Sequence, residues 1–307
     1  MPLNTAKALV TLNGLTAKFD NRVAAATPFY PRISTVFPSN RLTEDYAFLG
    51  NMPGVREWDG DRQFKELRGA RFAIENKHWE SSLAIKKTDI DDDNLGLYGP
   101  LMEALADEAS YHPDELLFET LVAGDGAACF DGQFFYDTDH VWGDSGSQSN
   151  DLTSTVVLNT AVTAAEFRAS YHQAREAMLN FSRDNGKLFH RPTIGNMSDL
   201  MILVPTELEL AAHEAIRSIV LANNTNIVLD SPSIVTSAHL TTATEWYLFH
   251  LGGVLKPFVF QNREPIMRQM KGEDDLEFKD VKFMTEARYN VGYLAWWSAV
   301  LTTFATA

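Results

Sequence analysis

Apolar positions along the chain fall into three regimes. The first forty residues mix Pro28, Pro31 and Pro38 with short apolar pieces that keep no period, which predicts an extended arm over 1–40 that must lie on something else. From Tyr46 to Asp89 strand formers take over. Phe72-Ala73-Ile74 and Trp79 to Ile85 follow the turn-prone Met52-Pro53-Gly54 and Asp59-Gly60-Asp61, and predict a long hairpin within 41–90. A two-stranded ribbon is marginal on its own in water, so this one needs a packing partner.

The helical regime begins at Leu95. Leu97, Leu101, Leu105 and Ala109, then Leu117, Leu121 and Val122, trace the stripe of a long helix ending near Val122. Pro113 lacks the amide an unbroken helix needs, which predicts a kink or restart near His112. The Gly- and Ser-rich run Gly143 to Ser154 reads as an exposed loop. Two capping boxes follow, Thr163 with Glu166 and Thr206 with Glu209, each opening a helix. Leu200 to Val204, bounded by Pro205, is a buried strand, so 155–255 forms a compact α/β unit. In 256–307, Phe258-Val259-Phe260, Phe278 to Met284 and Tyr289 to Leu301 predict antiparallel strands around the charged turn Lys271 to Asp275. The class is α+β.

Length and apolar content, 307 residues and 45%, suit one large domain or two modest ones. The weakly polar stretch Val291 to Ala307 is shorter than the ~20 residues of a membrane-spanning helix. The N-terminus lacks the basic start and apolar run of a secretory signal, giving an intracellular expectation. The single cysteine, Cys129, has no partner for an internal disulfide, as suits a reducing compartment. Charge is unevenly placed. From Thr88 to Phe167 no Lys or Arg occurs while seventeen Asp and Glu do, so with a net charge of −15 the rest of the chain is nearly neutral. Such a surface repels a phosphate backbone.

Local patterns that could carry chemistry are incomplete. Gly143-Asp144-Ser145-Gly146 matches the tetrapeptide around a trypsin-like nucleophile, yet continues Ser147-Gln148-Ser149 rather than into an apolar strand, and no histidine context suggests a buried His–Asp partner. Asp89-Ile90-Asp91-Asp92-Asp93-Asn94 opens like a calcium loop but has Asn94 where Gly belongs and Pro100 where the bidentate Glu belongs. It reads instead as a solvated acidic turn at a helix start, where negative charge is favoured. Asp137, Asp139 and His140 lack a further His or Cys cluster to complete a metal site and read as a hydrogen-bonded turn. Cys129 sits among Ala127, Ala128 and Phe130 with nothing basic to activate it. The residues support no catalytic activity, cofactor or metal.

The order of arm, hairpin, long helix, α/β unit and returning strands resembles the Hong Kong 97-type capsid fold. Leu49-Gly50-Asn51-Met52-Pro53, Glu57-Trp58, Ile74-Glu75-Asn76-Lys77, Asp92 to Tyr98, Pro113-Asp114-Glu115-Leu116 and Phe130 to Phe135 resemble the major head subunit family of Mu-like tailed phages. So do Trp246 to Phe249, Lys256 to Gln261 and Ala287 to Tyr293. The resemblance runs in order over most of the chain. It implies a subunit of hexamers and pentamers in an icosahedral virion head around double-stranded DNA. It also implies an extended loop at 41–90, a peripheral domain made of 91–154 with its spine helix and 256–307 with its strands, and an axial domain at 155–255. Some relatives carry a long, cleaved N-terminal scaffolding segment, for which the arm here is too short. A separate scaffolding protein, portal and maturation protease are then implied as partners, with assembly in the bacterial host cytoplasm and no membrane. An encapsulin-like compartment of the same fold is the alternative.

A closed shell needs complementary, non-identical patches. Arg56 to Lys87 holds eight basic and six acidic residues. The expected contact places Arg62, Lys65, Arg68 and Arg71 of this loop, with Trp58, Phe64 and Phe72 as anchors, against a neighbour's acidic surface including Asp89, Asp91, Asp92 and Asp93. The remaining acidic face would look inward toward DNA that it does not bind.

Overall fold

In the computed structural model, the described residues are 3–48, 70–86, 95–141, 145–183, 186–190, 199–217, 220–221, 224–225, 232–271 and 280–307. The first segment is a helix, α1 (Leu3–Ala25), where an extended arm was expected. Its signal in the sequence is narrow because two stripes of two residues each share the work. Leu15 and Phe19, one turn apart, are buried against Met102, Ala106, Val281 and Phe283. Lys18 and Arg22, also one turn apart, meet Glu103 at 3.9 Å and Asp107 at 2.6 Å. From the other side Arg268 grips Asp20 through two bonds of 2.7 and 2.8 Å. The helix exists through its docking, as most helical stability in proteins does.

A short helix α2 (Tyr30–Ile33) and strand β1 (Ser34–Pro38) follow. Next come β2 (Thr43–Phe48), β3 (Ala70–Glu75) and β4 (Lys77–Lys86). The expected hairpin is real but differently joined. Its antiparallel arms are β2 and β3, whereas the Trp79 to Ile85 segment belongs to β4 and pairs with a C-terminal strand. The single residue Asn76 separates β3 from β4, so propensity detects both strands but cannot show that they serve different sheets.

The long helix α3 (Leu95–Val122) runs through Pro113 as one element, so no restart occurs. Asp114 beside it accepts bonds from the Phe29 and Tyr30 amides at 2.7 and 2.6 Å, fixing the start of α2 to the helix. Then come β5 (Asp151–Val156), α4 (Ala164–Asn180), β6 (Leu200–Val204) and α5 (Glu209–Arg217). Thr163 forms the reciprocal capping box with Glu166. Thr206 does not cap: it opens a 3-10 turn, Thr206–Leu208, preceded by Pro205, and its hydroxyl bonds Glu207. The remaining strands are β7 (Val220–Leu221), β8 (Asn224–Thr225), β9 (Ser233–Thr236), β10 (Glu245–His250), β11 (Phe258–Lys271), β12 (Asp280–Tyr293) and β13 (Ala299–Thr306).

Two main sheets result. One is ordered β1-β11-β12-β4, with β1 parallel to β11 and the rest antiparallel; the other is β5-β13-β10-β6-β9. Pro265, which cannot donate to a ladder, falls where the β11–β12 register shifts. The antiparallel β11–β12 pair matches expectation, but the Tyr289 to Leu301 segment is split between β12 and β13, which lie in different sheets. α4 covers one face of the five-stranded sheet, with Phe167 against Trp246 and Phe304. Among the described residues, no helix is long and apolar enough to cross a membrane.

Replacing the buried Phe19 with Ala should cost about 3 kcal/mol in urea unfolding, with faster hydrogen exchange across the rest of α1. Arg22→Ala, which cuts a half-exposed ion pair, should cost less than ~1 kcal/mol. The reverse order would mean that charge, not burial, docks α1.

Candidate functional site

The expected contact residues divide by position. Trp58, Arg62, Phe64, Lys65, Arg68, Asp89, Asp91, Asp92 and Asp93 lie outside the described residues. Arg71 stands in β3 opposite Ala47. Phe72, two residues before Ile74, is half-buried against the subunit's own core. A Cβ on Gly292 would collide with Ile74 Cδ1 and lie 3.3 Å from the Phe72 ring. Glycine there lets the ribbon's foot press onto β12.

That foot is fixed by polar contacts. The Asn76 side chain donates to Ser39 Oγ and to the Arg41 carbonyl, both at 2.8 Å. Glu44 accepts from the Asn40 and Arg41 amides at 3.1 and 3.2 Å, which hold it below the usual carboxylate range. Tyr46 Oη donates to Gln261 Oε1 at 3.0 Å, and burial with Glu44 nearby pushes its hydroxyl up to about 12. Gln261, fully buried, donates on to the Ile74 carbonyl. These contacts tie the base of the β2–β3 ribbon to β11 and to the turn before β2.

A second polar cluster fixes the turn by which the chain passes from one main sheet to the other. Buried Asn150 donates through Nδ2 to the carbonyls of Phe135, Trp296 and Ala299 at 2.8, 3.3 and 3.2 Å. Its Oδ1 accepts from the Asp137 amide at 2.9 Å and contacts His140 Nε2 at 3.2 Å. His140 Nδ1 reaches Asp131 at 2.7 Å with both side chains buried, and its ring stacks on Trp296 at 4.0 Å. This is a buried His–Asp pair that residue spacing did not reveal. Its other nitrogen is taken by Asn150 and its face by Trp296, so it presents no base to a substrate.

The remaining chemical candidates are absorbed by structure. Asp137 is desolvated, which raises its carboxyl, but the Phe134 and Thr138 amides outweigh this and hold it low; exposed Asp139 shares a hydrogen bond with Asp137 that raises it. Burial pushes the Cys129 thiol well up. Ser145 bonds the Gly146 carbonyl, while Gly143 and Asp144 lie outside the described residues, as does the acidic run at 89–94. Among the described residues, no three His, Cys, Asp or Glu side chains are grouped to hold a metal. His190 and His250 lie 4.6 Å apart ring to ring, and burial, with His250 and Arg183 nearby, pushes His190 down to about 4 despite its bond to the Trp297 carbonyl.

The two sheets, the spine-like α3 and the ribbon standing off one edge define a Hong Kong 97-type capsid fold. A chain in the procapsid of bacteriophage JBD30 superposes with a TM-score of 0.56 at 26% identity, covering 99% of this chain and 76% of that one. One in the JBD30 capsid decorated with minor capsid protein trimers gives 0.57 at 27%, covering 71% and 93%. The chain belongs to the family of the Mu-like prophage major head subunit gpT, whose profile matches residues 9–167 and 235–304. It is 39% identical over 158 residues to the Mu-like prophage FluMu major head subunit of Haemophilus influenzae, covering 52% of this chain and 51% of the relative. To the major capsid protein of Escherichia phage Mu it is 34% identical over 122 residues, 40% of each. The matched segments thus span about half or less of these curated relatives.

Asn150→Ala would take a side-chain partner from the Phe135 and Ala299 carbonyls and from the Asp137 amide in a buried site, so it should cost about 3 kcal/mol in denaturant unfolding; a loss under ~1 kcal/mol would remove its role as a hub. His190 gives a pH signature. Its folded value of about 4 lies below the ordinary 6.5, so between these the unfolded chain binds the extra proton and stability falls as pH falls. Wild type should lose up to about 3 kcal/mol from pH 7 to pH 4 through this group. His190→Phe should reduce that slope in urea titrations of the dispersed subunit.

Proposed function

We propose that the chain is the major shell subunit of a Mu-like phage head, closing as hexamers and pentamers into an icosahedral shell around double-stranded DNA. The observation that carries this is membership of the major head subunit family over most of the chain, joined to a capsid fold. In this reading 41–90 is the extended loop, 155–255 the axial domain, and 91–154 with 256–307 the peripheral domain. The subunit is structural and not catalytic. Its partners are further copies of itself, a separate scaffolding protein, a portal, a maturation protease and the packaged DNA. It resides in the virion after assembly in the bacterial cytoplasm. The encapsulin-like alternative draws only on fold: the likeness to the virus-like particle of Pyrococcus furiosus is 9% identical.

Cohesion between copies rests on the cationic loop, Arg62, Lys65, Arg68 and Arg71, meeting acidic surface on a neighbour. Part of the acidic stretch is already neutralised within the subunit, since Glu103 and Asp107 pair with α1, which leaves the unpaired carboxylates for the neighbour. The acidity that faces inward keeps DNA mobile by not binding it.

Negative-stain microscopy of the expressed protein should show closed shells tens of nanometres across, and dispersed monomers under all assembly conditions would reject the reading. Near-molar salt, which shortens the screening length to ~3 Å, and the double change Arg62→Glu with Arg68→Glu should each weaken assembly. Indifference to both would remove the charge pairing while leaving the shell assignment intact.

A further inference from the structure

A cavity of about 170 Å3 lies between the middle of α3 and the β4–β12 ladder. Engineered apolar cavities of ~150 Å3 admit benzene, so this one has room for a phenyl ring. Trp79, His112 and Tyr289 line it with Ala109, Ile266 and Ala287. The aromatic wall is set in advance: His112 Nδ1 and Tyr289 Oη are hydrogen-bonded at 2.7 Å, and the Trp79 ring lies 4.4 Å from that of His112.

The lining also holds Glu80, Glu108 and Glu286 and no Lys or Arg. Glu80 and Glu286 are direct partners across the β4–β12 ladder, a like-charge placement that costs stability. None of the three is in an ion pair among the described residues. Lys77 stands over the Trp79 ring instead. The site is thus built for an apolar ring flanked by positive charge.

The chain itself carries such a group. Phe64 lies between Arg62 and Lys65, with Arg68 following, whereas Trp58 is flanked by Glu57 and Asp59. Phe72 is already packed over Gly292. From Ala70 to Lys86 the chain runs one way along β12: Ile74 sits over Gly292, Lys77 pairs with Tyr289 and Lys86 with Asp280. The ribbon formed by β2 and β3 therefore leads away from Trp79 and Ser81, which favours entry from another molecule.

We propose that this cavity receives the Phe64 side chain of a second copy, with Arg62, Lys65 and Arg68 facing the three glutamates. The inference rests on the shell-subunit reading and names the acceptor for its cationic loop.

The test uses assembled shells. Azidophenylalanine at position 64, in shells mixed from unlabelled and nitrogen-15-labelled subunits, is photolysed and the adducts are mapped by mass spectrometry. Adducts on Glu108 to His112 or on the strands around Trp79 and Ala287, joining light to heavy chains as readily as like to like, support the inference. Adducts elsewhere, or never between labels, overturn it. Ala109→Phe fills the cavity from within. It should leave the dispersed subunit folded, by circular dichroism and unfolding midpoint, and raise the minimum concentration for shell formation at least about tenfold. Phe64→Ala should do the same, and the double variant should be no worse than either. Normal assembly of Ala109→Phe would overturn the inference, whereas failure of the unaltered protein to form shells would overturn the shell-subunit reading beneath it.

Discussion

The Asn150 side chain is the constraint on which the arrangement of the two sheets depends. The chain leaves the four-stranded sheet at Tyr293 and enters the five-stranded one at Ala299, with the 3-10 turn Trp296–Ser298 between. Asn150 ties both ends of that turn to the start of β5 and to the Phe135 carbonyl. A carboxamide suits the position because it offers donors and an acceptor at once without carrying charge. A buried network of this kind stabilises to the extent that its polar members are satisfied, and here His140 and Asp131 extend it while the Trp296 ring stacks on the His140 face.

Charge is partitioned as firmly as apolar surface. The 80-residue stretch without Lys or Arg would repel itself if left bare, and α1 answers it with Lys18 and Arg22 at the spacing of Glu103 and Asp107. These pairs are partly exposed and contribute modestly. Their larger effect is directional: they set the rotation and register of α1 on α3, while Phe19 and Leu15 supply the burial.

What was legible in the residues follows from how local each signal is. The bounds of α3, the Thr163 capping box and the buried run Leu200–Val204 are local and were readable. α1 was missed because its burial is concentrated in a few residues and its pairing partners lie 85 positions away. The Thr206 box failed because Thr206 is itself the first residue of a 3-10 turn after Pro205, and its hydroxyl bonds Glu207. The division of β3 from β4 and of β12 from β13 is non-local, and nothing in period or propensity encodes which sheet a strand will join. The His140–Asp131 pair was invisible for the same reason: its environment is built by Trp296, far along the chain. Of the expected contact surface, only the ribbon's foot, with Arg71 and Phe72, falls among the described residues.

The placement of β13 bears on how the molecule comes to be folded at all. It lies between β5 and β10 in its sheet, yet follows them in the chain and reaches back to Asp151 from Leu301. During synthesis β5 and β10 must wait with open edges until this later strand emerges, because contacts so distant in sequence form slowly. Unpaired edges of that kind invite association with other chains. The larger sheet thus keeps β5 unpaired and one edge of β10 open until β13 has been made, and the yield should be governed as much by protection of those edges as by the stability of the finished fold.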